Sequence, residues 1–447
     1  MNTPVYDFVK EYCEKENVRL HMPGHKGRGF FFCDKYDITE IDGADVLYHE
    51  TGILKESEEN ASRLFSSAKT LYSAEGSSLC IRAILMLLKQ EAARRGERPL
   101  IAAGRNAHKV FNTAAALIGI DIEWIYPENV NSLVSADISP SYLREFLENC
   151  SILPQAVYIT SPDYLGNIAD IKGLSQVCRE KGVLLAVDNA HGAYLHFLPE
   201  SMHPIQLGAD ICCDSAHKTL PVITGGAYLH LSENAPATLF ENAENAMSLF
   251  STTSPSYLIL ASLDFCNKYL AEGFRKELEL FTEKLGEIKK ELVEAGFCFM
   301  GNEPLKLTVS TKKYGYTGYE FSDILREKGI ECEFFDPDFI VMMFTPFITD
   351  EELLFIKKTL LEIPKRSPVT ESFPLLPKPS AGMNPSEVLF LPDVAVNVRE
   401  ATGRILSSPS VMCPPAVPVA VCGERLTREA IECFEYYGIE KVRVIKE

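Results

Sequence analysis

The stretch Asp214-Ser215-Ala216-His217-Lys218 sets a lysine among a carboxylate, a hydroxyl and an imidazole, directly after an apolar strand pattern at 209–213. Pro221 then breaks the chain, Gly225-Gly226 follows, and a second strand pattern covers 227–229. Desolvation disfavours the charged form of such a lysine, and the neutral amine is the nucleophile that captures an aldehyde cofactor as a Schiff base. Taken alone, a lysine after a strand also fits a solvated loop. Upstream, 183–187 is a continuous apolar run of buried parallel-strand type, and Asp188-Asn189-Ala190-His191-Gly192 follows at once. A carboxylate at the end of a buried strand is costly unless a cation meets it. The protonated nitrogen of a pyridine cofactor is such a cation, and an aspartate beside it keeps the ring a strong electron sink. By itself, Asp188 reads equally as a helix cap or a turn residue.

The elements that must position these groups alternate. Short apolar strands are expected at 100–103, 122–126, 156–160, 183–187, 209–213 and 227–229, with helical periods between them, as at 171–181. Such alternation predicts an α/β architecture with a mostly parallel sheet covered on both faces. Ligands of such sheets gather at the carboxyl ends of the strands. Asp188, the run Gly104-Arg105-Asn106-Ala107-His108-Lys109 and the run Ser161-Pro162-Asp163-Tyr164 all fall at such ends. A helix is expected over 56–71, then a small strand leading into Glu75-Gly76-Ser77-Ser78 and an apolar helix over 79–88. Gly-Ser-Ser opening a helix is a natural phosphate cradle, although serine is also the ordinary N-cap. A long charged amphipathic helix is expected over 268–295, then a small α/β domain, a Pro-rich linker over 364–385 and a last segment over 386–447. The expected divisions are an N-terminal arm (1–45), a large cofactor-binding domain (46–285), a small α/β domain (286–365) and a C-terminal domain (366–447). The arm centres on His21-Met22-Pro23-Gly24-His25-Lys26-Gly27-Arg28, either a solvated basic loop or an active-site or interface arm.

Composition narrows the function classes. The 447 residues are 46% hydrophobic, enough for a sizeable core and two or three domains. A net charge of −18 argues against a nucleic-acid partner and is compatible with a cationic substrate. The thirteen cysteines show no Cys-x-x-Cys pair and no zinc-type spacing, so no metal is expected and reduced thiols are the plain reading. The first residues lack a basic region followed by an apolar core, and no run reaches membrane-spanning length, so a cytoplasmic location without membrane contact is expected.

A strand ending in Asp, then a strand ending in Ser-x-His-Lys, resembles fold type I pyridoxal-phosphate enzymes. Across nearly its whole length the sequence is similar to the bacterial ornithine/lysine/arginine decarboxylases in their short form. The likeness is carried by His-Met-Pro-Gly-His-Lys-Gly (21–27), Asp-Ile-Thr-Glu-Ile (37–41), Gly-Ser-Ser (76–78), Arg-Asn-Ala-His-Lys (105–109) and Asp-x-Ala-His-Gly-Ala (188–193). It continues in Ser-x-His-Lys-Thr-Leu-Pro (215–221), Ser-Thr-Thr-Ser-Pro-Ser-Tyr (251–257), and Pro-Pro-x-Val-Pro with Gly-Glu (414–424). The resemblance implies an aminotransferase-like large domain with smaller C-terminal α/β domains, and pyridoxal 5'-phosphate as cofactor. It implies decarboxylation of arginine, lysine or ornithine to the corresponding amine. Lys218 would hold the cofactor aldehyde, Asp188 would pair with the ring nitrogen, and His108 would stack on the ring. Ser77, Ser78, Ser215 and His217 would meet the phosphate or its surroundings, with Gly76, Ala190 and His191 beside them. Thr253 would reach the phosphate of a neighbouring subunit, which implies a homodimer or larger homo-oligomer. Glu424 would read the substrate cation, and Lys218 or His217 would return the proton to Cα. The same Asp and Lys also serve aminotransferases and β-eliminating lyases, and a catalytically silent homologue would keep the fold. The sequence departs from the family pattern at Glu75 (often Asn), Tyr194 (often His), Gly225 (often Gln) and Ala416 (often Gly).

Overall fold

The computed structural model describes every residue except 16, 50, 129–134, 136, 379–381, 409, 414–416 and 447, and no side chain at 410–413 or 417. The departure at Ala416 therefore lies outside the described residues. Seven strands make one sheet: β1 (Lys69–Ser73), β2 (Leu100–Gly104), β3 (Asp121–Ile125), β4 (Ala156–Thr160), β5 (Leu184–Asp188), β6 (Ile211–Asp214) and β7 (Ala227–Leu231). Their order is β1-β7-β6-β5-β4-β2-β3. β5 and β6 pair in parallel, as do β2 and β3, while β7 runs antiparallel to both β6 and β1. The expected α/β fold with a mostly parallel sheet is present, and the expected strands match within two residues.

In chain order the first helices are α1 (Pro4–Glu14), α2 (Ile53–Phe65), α3 (Ser77–Arg95), α4 (Lys109–Ile118), α5 (Pro140–Asn149), α6 (Ile171–Lys181), α7 (Ala216–Thr219), α8 (Ala237–Ser248), α9 (Tyr257–Ala271) and α10 (Phe274–Glu294). Two expectations are corrected here. The helix expected over 56–71 ends at Phe65: Ser66 turns left-handed (φ 51°), and 69–73 is drawn into pairing with β7. Packing against a neighbouring strand overrides the helical period there. The single helix expected over 268–295 is two, because Gly273 adopts φ 124° between α9 and α10. Glycine reaches this region without a Cβ penalty.

Contacts divide the chain into two compact units. The first holds residues 1–99, 153–159 and 171–276. Its core is built on both faces of β5, β6 and β7, whose residues are all buried. α1 belongs to it: the amides of Val5 and Tyr6 donate to the Asp264 carboxylate of α9 at 2.9 and 3.0 Å, supplying acceptors that an uncapped helix start needs. The second unit holds 100–152, 160–170 and 277–447. It contains a four-stranded sheet that includes Lys306–Ser310 and Phe339–Met343, paired antiparallel. A continuous apolar cluster joins Leu165, Phe334 and Val341 to Val398, Leu406, Phe434 and Val444. The Pro-rich stretch is laid along this unit at its start: the amides of Arg366 and Val369 donate to the carbonyls of Tyr314 and Lys312.

Candidate active site

Asp188 is the last residue of β5 and is 2% exposed. The strand's apolar residues carry it into the interior, so its charge must be met there. Its Oδ2 accepts from the Tyr158 hydroxyl at 3.1 Å, and its Oδ1 from the Ala190 amide at 3.2 Å and the Cys213 thiol at 3.7 Å. These donors are neutral. Among the described residues no cationic side chain pairs with this carboxylate. Tyr158 and Cys213 were not singled out in the sequence. Both sit inside apolar strands, where a lone Tyr or Cys reads as core.

Lys218 lies in α7, one turn beyond β6, and its Nζ is 3.1 Å from His191 Nε2. His217, its neighbour, turns elsewhere. Its Nδ1 is 2.9 Å from the Gly226 carbonyl. A carbonyl only accepts, so Nδ1 carries the proton. Burial lowers the His217 pKa, opposed by that carbonyl and aided by the Lys218 charge. The neutral ring then presents Nε2 as an acceptor. His191, by contrast, contacts the lysine amine directly.

Gly76, Ser77 and Ser78, expected as a phosphate cradle, lie at the start of α3. Gly76 turns at φ 70° before α3, and no side chain caps that helix start. Ser215 Oγ donates to Ser77 Oγ at 2.7 Å, linking the end of β6 to the first turn of α3. A Cβ added at Gly76 would lie 4.0 Å from His217 Cε1, so the imidazole borders the turn. Gly225 explains one departure from the family pattern. Its carbonyl receives the Gly76 amide at 2.6 Å, its φ is 104°, and a Cβ there would come 3.0 Å from the Ala74 carbonyl. Glutamine would be strained in that place. Glu75 turns its carboxylate to the Thr252 amide at 2.6 Å. Thr253, next in this segment, is exposed.

Gly76, Ser77, Ser78, Asp188, Ala190, His191, Ser215, His217, Lys218 and Thr253 all belong to the first unit; His108 and Glu424 belong to the second. His108 caps α4, its Nδ1 accepting from the Val110 amide at 3.2 Å. Glu424 has a partner of its own. Arg105 donates from Nη1 and Nη2 to its two oxygens at 2.7 and 2.8 Å, and the Val421 amide adds a third bond at 2.9 Å. Burial works against the Arg105 cation, and the charge and hydrogen bonds of Glu424 more than offset it. Thr427, not Glu424, caps the helix at Arg428–Tyr436. A substrate cation would have to share this carboxylate with a buried guanidinium.

These residues fit pyridoxal phosphate. A buried carboxylate without a cation awaits a ring N–H, an uncapped helix start with two serine hydroxyls suits a phosphate, and a lysine stands by for the aldehyde. Residues 3–295 match the family described as Orn/Lys/Arg decarboxylase, major domain. The chain belongs to the Orn/Lys/Arg decarboxylase family. An arginine decarboxylase of Bacillus subtilis (strain 168) is 30% identical over 462 residues, covering 96% of this chain and 92% of that protein. The solved structure of the Francisella novicida lysine decarboxylase LdcF covers 99% of this chain and 81% of that one, with a TM-score of 0.82 at 17% identity. A structure described as SPT with PLP gives a TM-score of 0.57 at 12% identity, covering 80% of this chain and 83% of that one. These likenesses establish the fold type I architecture. This family member is a decarboxylase whose cofactor is pyridoxal 5'-phosphate. Among the described residues no helix is long and apolar enough to cross a membrane.

Proposed function

We propose that this decarboxylase acts on a basic L-amino acid, with arginine the first substrate to test and lysine and ornithine next. The observation that carries the reading is the pairing of Lys218 with His191 in the same unit as a buried Asp188 that has no cation. A relative that matches over nearly both whole lengths is described as an arginine decarboxylase, which supports the order of substrates. When bound, the cofactor supplies a conjugated ring that accepts the electron pair left by the departing carboxylate. Lys218 would hold the aldehyde end, Asp188 the ring nitrogen, and Gly76, Ser77, Ser78 and Ser215 the phosphate, with His217 bordering them.

The chain's own groups then divide the proton work. Tyr158, Ala190 and Cys213 satisfy the Asp188 oxygens with neutral donors, so its charge stays available for one cation. His191 Nε2 can take a proton from the Lys218 amine or return one, at 3.1 Å and without an intervening group. His108, Thr253 and Glu424 are assigned to ring stacking, to a neighbour's phosphate and to the substrate cation on the family likeness, and the last has Arg105 as a competitor. A homodimer with composite sites and a cytoplasmic location complete the proposal.

Purified protein incubated separately with arginine, lysine and ornithine should release carbon dioxide and one amine, identified by mass spectrometry. Lys218→Ala should lose the cofactor adduct trapped by borohydride. A keto acid in place of carbon dioxide would replace this reading with an aminotransferase, and trapping on another lysine would remove Lys218 from its role.

A further inference from the structure

Asp214 ends β6 one residue before Ser215 and is 0% exposed. A carboxylate so buried stays ionised only if donors surround it. Three do. Its Oδ2 lies 3.0 Å from His203 Nε2 and 3.4 Å from His230 Nε2, both rings fully buried, and its Oδ1 accepts from Asn189 Nδ2 at 2.7 Å. The Ile205 amide donates to His203 Nδ1 at 3.4 Å, which leaves the proton of that ring on Nε2. That atom therefore donates to Asp214 rather than ligating a metal. His230 is anchored from its other side by Thr70 Oγ1, 2.8 Å from Nδ1. Burial would raise the Asp214 pKa, but the two histidine rings beside it outweigh that and hold the carboxyl below its usual range.

What Asp214 holds is Asn189. The backbone of that residue is tied at both ends, its amide to the Cys213 carbonyl at 2.9 Å and its carbonyl to the Gly192 amide at 2.8 Å. Its side chain fills the space where a Cβ at residue 192 would stand, so only glycine fits there. Asn189 lies between Asp188 and Ala190, whose amide is one of the donors to Asp188. On the other side of Asp214, Ser215 meets Ser77 at the start of α3. We propose that Asp214, held by His203 and His230, is a positioning residue that fixes the two ends of the cofactor site at once. Through Asn189 it aims the Ala190 amide at Asp188, and through the end of β6 it sets Ser215 against Ser77. The inference rests on the cofactor assignments made above, and its test separates the two.

Full-length apoprotein of the wild type, Asp214→Asn and Asn189→Ala would be titrated with pyridoxal phosphate by equilibrium dialysis. Amide hydrogen exchange over 188–192 would be followed in the same proteins without ligand. Asn189→Ala keeps both histidines beside Asp214 and removes the Asn189 side-chain bond to it, so it stands if Asp214→Asn fails to fold. Both variants should weaken cofactor binding at least tenfold, and the Ala190 amide should exchange at least tenfold faster. Wild-type protein that takes up no cofactor would strike at the cofactor assignments, while exchange would still judge the positioning role. Unchanged exchange and binding in Asn189→Ala would overturn it, even if Asp214→Asn were impaired, because the defect would then be one of packing alone.

Discussion

Replacing Glu424 by glutamine decides whether that carboxylate serves the substrate or the fold. Arg105 is 2% exposed and spends both Nη groups on Glu424, and its Cζ lies 4.9 Å from the Trp124 ring centroid and 5.7 Å from that of Tyr126. Glu424→Gln keeps the size and one acceptor, removes the charge and turns an NH2 group towards a guanidinium that can only donate. Taking one partner from a buried ion pair costs roughly 3–5 kcal/mol, because the remaining charge is left uncompensated. With a urea dependence of about 3 kcal/mol/M, the unfolding midpoint of this unit should drop by roughly 1–2 M. Trp124, the chain's one tryptophan, stands beside Arg105 and supplies the fluorescence signal. The reasoning fails if the variant unfolds within about 1 kcal/mol of the wild type, a difference at the level of ordinary surface substitutions. If KM for the basic amino acid rose more than tenfold in that same variant, the carboxylate would be the substrate's partner and Arg105 its bystander.

Asp188→Asn should leave a folded protein whose kcat falls on the order of a hundred- to a thousandfold, the loss of one desolvated charge partner; near-normal turnover would make Asp188 a structural residue. Mixing Lys218→Ala chains with chains changed at Thr253, each inactive alone, should restore part of the activity if sites are shared between subunits, and a fully active monomer by light scattering would end that proposal. Burial raises the Asp336 carboxyl to about 7; the Asp338 amide opposes the shift, the Asp338 charge adds to it and the Phe339 amide opposes it. Its folded value lies above the ordinary one, so its contribution to stability is full below about pH 4 and is lost as the pH rises through about 7, on the order of 4 kcal/mol in all. Asp336→Asn should remove that part of the slope in urea midpoints measured between pH 4 and 8, and an identical slope in both proteins would refute it.

The sheet was legible because its strands announce themselves. The continuous apolar runs of β4, β5 and β6 could be little else, and Asp188 stood out as a charge at the end of one of them. β1 was partly hidden: its first residues continue the helical period of α2, and only pairing with β7 turns them into a strand. Single residues deep in the site were hidden for a different reason. Tyr158 becomes a donor to Asp188 only when β4 comes to lie beside β5, and nothing in the run Ala-Val-Tyr-Ile-Thr marks its hydroxyl as used. Glu424 was legible as a carboxylate but not its partner. It was conspicuous after glycine, and its partner Arg105 lies far away in sequence within a run that was read for His108.

The histidines beside Lys218 show the same physics at the centre of the site. The family likeness makes His217 a candidate proton donor beside Lys218. Yet residues i and i+1 in a helical turn point about 100° apart, so they do not face each other. α7 is such a turn, and it sends His217 to the Gly226 carbonyl and Lys218 to His191. His191 is near because β5 and β6 pair in parallel, with Asp188 opposite Cys213, which brings the two loops that follow them side by side. The groups proposed to face the ring nitrogen and the lysine amine thus come from the end of β5 and the short loop that follows it. Asn189 opens that loop, which is why holding it with Asp214 bears on both.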